Sequence, residues 1–113
     1  MKTEKYFTLS MLLDIYGSLL TQKQRDALDM SLNEDLSLSE IAENTGVSRQ
    51  AAQDAIKKAE QRLEELESAL GVYRLRQSVS SELEQLSSEV QNGKDTQTIE
   101  ATIEKIKKIL WED

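Results

Sequence analysis

Apolar positions of this 113-residue chain recur every three or four residues, the spacing of amphipathic α-helices, and a few polar or glycine-containing breaks separate the runs. The first run covers residues 4–19 and is broad enough to be buried on two sides. A second helix is expected after Thr21, which with Gln24 has the spacing of a capping box. A last helix is expected over Thr96–Trp111, after the Asn92–Gly93 turn. The chain is therefore predicted to be all-α.

Between these runs, Ser37–Lys58 has the pattern of a helix-turn-helix. The serine that opens it precedes Glu40 by three positions, so the two side chains can cap the start of a short helix. Gly46 adopts a positive φ angle without steric cost, which a turn between two steeply crossing helices requires. Ser48 is a second N-cap, so a new helix is expected to follow it.

The second helix of the motif presents a polar face whose side chains suit nucleic acid. Arginine and glutamine can make paired hydrogen bonds to purine edges, and lysine suits phosphate. The candidate nucleic-acid-binding residues are Arg49, Gln50, Gln53, Lys57 and Lys58. Helix-turn-helix units also serve as docking modules, because a fold does not fix a function. The alternative is therefore a protein-binding adaptor that uses this face or the helical tail without binding nucleic acid.

Beyond the motif, apolar residues continue at heptad spacing, which is typical of a seam between helices. The seam loses register around Gly71, where the helix is either kinked or shifted in register. An uninterrupted helix over residues 48–90 would be roughly 65 Å long, so a homodimer is expected to cover its seam. An intramolecular bundle is the alternative. The expected dimer-seam residues are Leu63, Leu66, Leu70, Tyr73, Val79, Leu83 and Leu86.

Composition argues against most classes of enzyme. The chain has no cysteine and no histidine, so it lacks a thiol nucleophile, a disulfide, and the commonest general base and zinc ligand. No two glycines have the spacing of a phosphate-binding loop, and paired carboxylates such as Glu64–Glu65 are expected to be solvated helix faces. We therefore expect no enzyme activity, no cofactor and no metal site. Trp111 is expected to close the core at the end of a C-terminal helical hairpin.

The net charge of −7 disfavours simple binding to DNA, which relies on cations that neutralise phosphates. The charge is unevenly distributed: residues 37–62 carry four basic and four acidic side chains, whereas residues 63–113 carry six basic and eleven acidic ones. Four cations are few for one groove. A monomer should therefore bind weakly, and a dimer would present two such faces.

The N-terminal segment carries no signal for export or for membrane insertion. Asp14 interrupts its apolar run, so neither a signal peptide nor a membrane span fits. A soluble cytoplasmic protein without membrane insertion is therefore expected.

Part of the sequence resembles known bacterial families. The segment DLSLSEIAENTGVSRQAAQDAIKKAEQRL resembles the final DNA-binding region of bacterial sigma factors. With the upstream LLDIYGSLLTQKQRDALDMSLNEDLSLSEIAE, the fuller resemblance is to the YlxM family of small helix-turn-helix proteins, over about Phe7–Leu70. The sequence departs from that pattern at Ala51–Ala52, where a bulkier second residue is expected.

The resemblance implies an all-helical, dimeric regulator linked to the signal recognition particle through gene neighbourhood with its GTPase. Its ligand would be the particle's RNA, the particle's protein, or DNA. Residues 1–66 are accordingly expected to form a helix-turn-helix domain, winged-helix-like and similar to sigma-factor region 4. Residues 67–113 are expected to form a helical dimerisation arm. The expected function is that of a non-enzymatic, nucleic-acid-binding regulatory or accessory protein, and the resemblance implies the signal recognition particle pathway as its setting.

Overall fold

Six α-helices joined by short turns make up residues 4–112, the part of the chain that its computed structural model describes. No β-strand occurs in this range, so the all-α prediction is confirmed. The winged-helix-like part of the expectation is corrected by the same observation, because a wing is built from β-strands. The helices are α1 (Glu4–Tyr16), α2 (Gln22–Leu32), α3 (Leu38–Thr45), α4 (Arg49–Leu70), α5 (Val72–Gln91) and α6 (Thr96–Trp111), with a 3-10 turn over Gly17–Leu19.

The chain divides at Gly71 into two compact units. Gly71 has a φ angle of +63° and donates its N–H to the Glu67 carbonyl at 2.8 Å, which ends α4. A left-handed residue does not continue an α-helix, so the seam predicted over residues 48–90 is carried by two helices instead of one. The predicted boundary after residue 66 lies inside α4. We call residues 4–71 the head unit and residues 72–112 the hairpin unit.

The head unit buries apolar side chains from α1, α2, α3 and α4. Three large side chains in it are fully buried, Leu28 of α2, Ile41 of α3 and Leu63 of α4. Tyr16 of α1 is 2% exposed, and its hydroxyl donates to Glu67 Oε1 of α4 at 2.7 Å. α4 therefore packs against α1 through Tyr16 and Glu67, and against α2 and α3 through the cluster that contains Ala52.

Only one face of α1 is buried within the chain. Leu9, Leu12 and Leu13 lie in the core, as the apolar pattern predicts. Phe7 points the other way and is 62% exposed. The stripe expected to be buried on two sides is thus buried on one.

The hairpin unit consists of α5 and α6, which pack against each other on either side of the Asn92–Gly93 turn. Gly93 has a φ angle of +67°, and Asp95 caps α6 by accepting the Thr98 N–H at 2.8 Å. The predicted turn and the predicted last helix, Thr96–Trp111, are both confirmed.

Packing inside the hairpin unit is limited. Thr102, at 2% exposure, is the only buried side chain among residues 72–112, and its hydroxyl donates to Glu89 Oε1 at 2.7 Å. Trp111 is 85% exposed, so the expectation that it closes a core is wrong: two helices alone leave no enclosed end for it to fill. The other inward-facing residues of α6 are half-buried: Ile99, Ile106 and Ile109.

Candidate nucleic-acid interface

A capping box fixes the start of α3. Ser37 Oγ accepts the Glu40 N–H at 3.1 Å, and Glu40 Oε1 accepts the Ser37 N–H at 3.0 Å. The backbone N–H of Ser37, and then its side chain, lower the pKa of Glu40 from its ordinary value of 4.5, because both hydrogen bonds favour the charged carboxylate. The predicted box is therefore confirmed as a reciprocal pair of hydrogen bonds.

The turn and the start of α4 follow from two residues. Gly46 has a φ angle of +70°, and a Cβ atom built on it would meet nothing within 4 Å. The backbone conformation, and not crowding, therefore favours glycine here. Ser48 Oγ accepts the Ala51 N–H at 3.0 Å and so begins α4. Both predictions are confirmed.

Small residues set the rotation of α4 against the head unit. Ala52 is 1% exposed and lies in a cluster with Ala27, Ile41 and Ala42. Ala59, about two helical turns further along the same face, is fully buried. A helix turns about 100° per residue, so burying these positions directs the residues between them outward. The burial of Ala52 and Ala59 therefore determines which face of α4 is exposed to solvent.

Four of the five predicted binding residues lie side by side on α4. Arg49, Gln53 and Lys57 are spaced by four, which places them in one row, and Gln50 lies beside that row. All four side chains are exposed. We call Arg49, Gln50, Gln53 and Lys57 the outer face of α4.

Lys58, the fifth predicted residue, is exposed but separated from the outer face. Asp54 lies between, and its Oδ2 is 3.1 Å from Lys58 Nζ. Because both side chains are more than half exposed, the pair adds little stability, but the carboxylate offsets the positive charge that Lys58 offers a phosphate. We therefore rank Lys58 below the outer face as a candidate contact.

Lys58 also lines a cleft of about 470 Å³ between α2 and α4. Three small residues of α4 lie along this cleft: Ala51, Ala52 and Ala55. Their short side chains leave space that longer ones would fill. The small pair Ala51–Ala52, where the family pattern has a bulkier second residue, was the sequence signal for this cleft. The pair alone did not predict a cavity.

Gln22 and Lys23, in the first turn of α2, line the same cleft. The sequence pattern did not mark them as candidate contacts, because they lie far from the helix-turn-helix along the chain. The Thr21–Gln24 capping box was the available signal, since a helix N-terminus beside α4 attracts anions. Lys23 adds a cation near the binding residues that were predicted.

Further along α4, the exposed surface becomes acidic. Glu64 and Glu65 are exposed, and Arg62 Nη1 lies 3.7 Å from Glu65 Oε2. The unpaired cations of α4 are thus confined to its first three turns. A polyanion would meet attraction at that end and repulsion beyond it.

The residues predicted for a dimer seam lie in different surroundings. Leu63 and Leu66 are 0% and 8% exposed, so they belong to the core of the head unit and have almost no surface left for a second chain. This corrects their assignment, and the break at Gly71 is the reason that one seam cannot continue. Leu70 and Leu83 are 59% and 49% exposed. The remaining three are half-buried: Tyr73, Val79 and Leu86.

The described helices carry neither a cluster of metal ligands nor a segment that could span a membrane. Within residues 4–112, no group of three or more acidic side chains is placed to hold a metal ion. No helix in that range is long and apolar enough to cross a membrane.

Family comparison agrees with this geometry. A family described as "Putative helix-turn-helix protein, YlxM / p13 like" matches residues 3–110. The chain belongs to the YlxM/p13-like family. The resemblance inferred from the residues is thereby confirmed, and the YlxM/p13-like family is one of helix-turn-helix proteins and not of enzymes.

Curated relatives of the chain share this family. A UPF0122 protein of Clostridium kluyveri is 49% identical over 76 residues, which cover 67% of this chain and 68% of the relative. A UPF0122 protein of Bacillus thuringiensis is 45% identical over 108 residues, which cover 91% of this chain and 97% of the relative. The similarity to YlxM/p13-like proteins therefore extends over both the head unit and the hairpin unit.

Proposed function

We propose that the chain is a non-enzymatic, nucleic-acid-binding regulatory protein that contacts DNA or RNA with the outer face of α4. The observation that best supports this is the exposure of Arg49, Gln50, Gln53 and Lys57 side by side at the start of the second helix of a helix-turn-helix. Arginine and glutamine match base edges, and lysine matches phosphate. Membership of a helix-turn-helix family points the same way.

The working form under this proposal is a cytoplasmic homodimer. One head unit has few cations near the motif: Arg49 and Lys57 on the outer face, with Lys23 and Lys58 beside the cleft. Two heads double the number of phosphates that can be neutralised, which raises affinity and steepens its dependence on salt.

A salt titration tests the proposal. Duplex DNA and duplex RNA of equal length, each carrying a fluorescent label, are titrated with the full chain at increasing salt. Binding should be measurable at low salt and should weaken steeply, with a slope that reports the number of phosphates contacted. No binding to either ligand at low salt would refute the proposed function.

Two variants then locate the interface. Arg49→Ala should weaken binding by about 1–3 kcal/mol, and Lys57→Ala should lower the salt slope by about one. Lys105→Ala is the matched control, because it removes the same charge from an exposed position in the hairpin unit. Equal affinities for all three variants would place the interface elsewhere.

We also propose the signal recognition particle as the setting in which the chain acts. This rests on the family resemblance, and a direct comparison tests it. The affinity for the particle's purified RNA is measured against a structured RNA of equal length, and the particle's GTPase is tested as a protein ligand. Equal affinity for both RNAs, without binding to the protein, would exclude this setting.

The cleft beside α4 favours a second candidate function, that of a protein-binding adaptor. Its lining combines Ala27 and Met30 with polar residues at the edge, a mixture that suits a partner side chain as well as a phosphate. The two functions differ in their response to Ala55→Leu, which would fill the cleft and leave the outer face unchanged. Loss of protein binding in this variant, together with no nucleic-acid binding by the unmodified chain, would favour the adaptor.

A further inference from the structure

The head unit has an apolar surface on the side of α1 that faces away from its core. Four large side chains recur there every four positions, close to one turn of an α-helix. Phe7 is 62% exposed, and Leu19, in the 3-10 turn after α1, is 56% exposed. Met11 and Ile15 between them are half-buried. We call these four residues the N-terminal stripe.

Helical rotation separates the stripe from the buried side of α1. A step of four residues turns a side chain by about 40°, so Phe7, Met11 and Ile15 form a continuous band that winds slowly around the helix. Leu9 and Leu13 each follow a stripe residue by two positions, a rotation of about 200°, and both are buried. The stripe therefore points away from the core, and contiguous exposed apolar residues of this kind mark interaction surfaces.

The polar side chains beside the stripe already have hydrogen-bond partners. The Thr8 hydroxyl donates to the Glu4 carbonyl at 3.0 Å. The Ser10 hydroxyl donates to Asn33 Oδ1 at 3.1 Å. A partner that covers the stripe therefore leaves neither hydroxyl without a hydrogen bond.

The charges that flank the stripe on α1 are acidic. Glu4 and Asp14 are exposed, and their side chains lie within about 60° of Phe7 around the helix. Lys5, the one cation within Glu4–Tyr16, is rotated by about 160° from Phe7. The surface of α1 thus combines large apolar side chains with carboxylates, and this combination complements an apolar partner that carries cations.

The cations at the far end of the stripe are neutralised by carboxylates of α4. Lys58 and Arg62 lie in a small depression beside Leu19. Lys58 Nζ is 3.1 Å from Asp54 Oδ2, and Arg62 Nη1 is 3.7 Å from Glu65 Oε2. They do not reverse the acidic character of the surface around the stripe.

The area of the stripe indicates the size of the partner. The backbone advances about 18 Å from Phe7 to Leu19, and a helix is about 10 Å wide, so the surface offers on the order of 200 Å². Both partners together would bury on the order of 400 Å², far below the roughly 1,200 Å² of a stable contact between globular proteins. A single amphipathic helix, which uses three or four side chains at this spacing, fits a surface of that size.

We infer that the N-terminal stripe binds a short amphipathic helix of another protein, with lysine or arginine beside its apolar face. A second copy of this chain would bring further carboxylates to the contact, and its area is too small to hold two globular units together. An anionic lipid surface would be repelled by Glu4 and Asp14. No residue of the outer face of α4 belongs to the stripe, so this binding goes beyond the proposed function.

Two synthetic peptides test the inference. Each is a labelled helix of about 18 residues with leucine on one face, and the opposite face carries lysine in one peptide and glutamate in the other. Fluorescence anisotropy with the full chain, without nucleic acid, should give a micromolar dissociation constant for the lysine peptide and a value at least about tenfold higher for the glutamate peptide. Failure of the lysine peptide to bind, or equal affinity for the two peptides, would overturn the inference.

A pair of uncharged variants locates the contact. Phe7→Gln removes the most exposed side chain of the stripe and should raise the dissociation constant of the lysine peptide about tenfold. Val90→Gln is the matched control, because Val90 is a similarly exposed apolar residue, at 59%, in the hairpin unit. Equal effects of the two variants would place the peptide elsewhere and contradict the inference. Neither variant changes the net charge, and neither replaces a buried side chain.

The role of the flanking carboxylates has its own pair of variants. Asp14→Asn should raise the dissociation constant of the lysine peptide about threefold at low salt, because one favourable charge is lost beside the stripe. Glu100→Gln removes the same charge from an exposed position in the hairpin unit and should have no effect. Equal effects would mean that only the net charge of −7 attracts the peptide, which would remove the basis for a cationic partner.

Two further measurements exclude other occupants. If Phe7→Gln lowers the mass of the unmodified chain in sedimentation equilibrium, a second copy covers the stripe. If the chain sediments with phosphatidylglycerol vesicles and Phe7→Gln prevents this, a lipid surface covers it. Either result would overturn the inference, whereas an unchanged mass and no vesicle binding leave the amphipathic helix as the partner.

Discussion

The two units of this chain are both built from helices, but they differ in how many hydrophobic side chains they bury. All the buried hydrophobic side chains found in residues 4–112 belong to the head unit, although the hairpin unit is also rich in leucine, isoleucine and valine. In the head, four helices all contribute buried apolar side chains; in the hairpin, two helices share a single contact line. Apolar content therefore does not make a core unless enough elements surround it.

Polar groups show the same difference. In the head unit, the Tyr16 hydroxyl donates to Glu67 across the core. In the hairpin unit, Glu82 Oε1 is buried without a hydrogen-bond partner among the described residues, which costs about 1–3 kcal/mol for such a group. Among the described residues, the hairpin thus leaves a buried carboxylate oxygen without a partner, whereas the buried Tyr16 of the head has one.

Replacing one leucine in each unit should give the largest difference. Leu28→Ala opens a cavity in the closed core, so the free energy of unfolding of the head should fall by about 3–5 kcal/mol. Leu83→Ala removes a half-exposed side chain, and at concentrations that keep the chain monomeric it should cost less than about 1 kcal/mol. Urea unfolding followed by circular dichroism measures both, and equal losses would refute the contrast between the units.

One glycine turn in each unit allows the two units to be compared at positions with similar φ angles. Gly46 and Gly93 have φ angles of +70° and +67°, and a Cβ atom on either meets nothing within 4 Å. Alanine should cost about 1–2 kcal/mol at each position, because only the backbone conformation opposes it. Amide hydrogen exchange should show faster opening throughout the head for Gly46→Ala, and in α5 and α6 alone for Gly93→Ala. Faster exchange across both units in either variant would mean that the units open together.

One hydrogen bond in each unit gives a smaller contrast. Tyr16→Phe deletes the contact with Glu67 inside the core and should lower the unfolding free energy of the head by about 1 kcal/mol. Thr102→Val deletes the contact with Glu89 but keeps the side-chain shape, and it should cost about half as much, since that carboxylate can turn to water. Thermal unfolding of each variant measures the difference, and a larger loss from Thr102→Val would reverse the ranking.

Acid should release one carboxylate cap in each unit, with the smallest effect. The backbone N–H of Ser37 lowers the pKa of Glu40 from 4.5, and the side-chain hydroxyl of Thr98, followed by its backbone N–H, lowers the pKa of Asp95 from 3.8. A lowered pKa in the folded state means that each cap stabilises its helix above the ordinary pKa and is lost as the pH falls through the folded value. The amide resonances of Ser37 and Thr98 should therefore titrate below pH 4.5 and below pH 3.8. Midpoints at or above those values would exclude intact caps.

Local features of this fold were predictable because neighbouring residues determine them. The Ser37–Glu40 box, Gly46, Ser48 and the Asn92–Gly93 turn each depend on backbone geometry within a few positions. The partition of the seam was not predictable, since Leu63 and Leu83 occupy equivalent heptad positions and differ only in how many helices surround them. Sequence spacing records which side of a helix is apolar, and not what covers that side.

The candidate site was also predictable in part, since the sequence indicated the exposed row on α4 but not the cleft beside it. Helical spacing alone places Arg49, Gln53 and Lys57 on one exposed row, as the structure has them. The cleft and its Lys23 depend on where α2 lies against α4, which is set by packing between segments that are distant in sequence. The spacing of residues along the sequence does not predict packing of this kind.

Under the proposed function, the short cationic part of α4 limits how long a base sequence a single head could recognise. From Arg49 to Lys58 the helix advances about 13.5 Å, which spans about four base pairs of a groove. A given sequence of four base pairs recurs by chance about once in 256 positions, whereas a genome offers about a million or more competing positions. Under the proposed function, one head alone would therefore bind too many positions to be specific, and two heads held at a fixed distance would recognise a longer sequence.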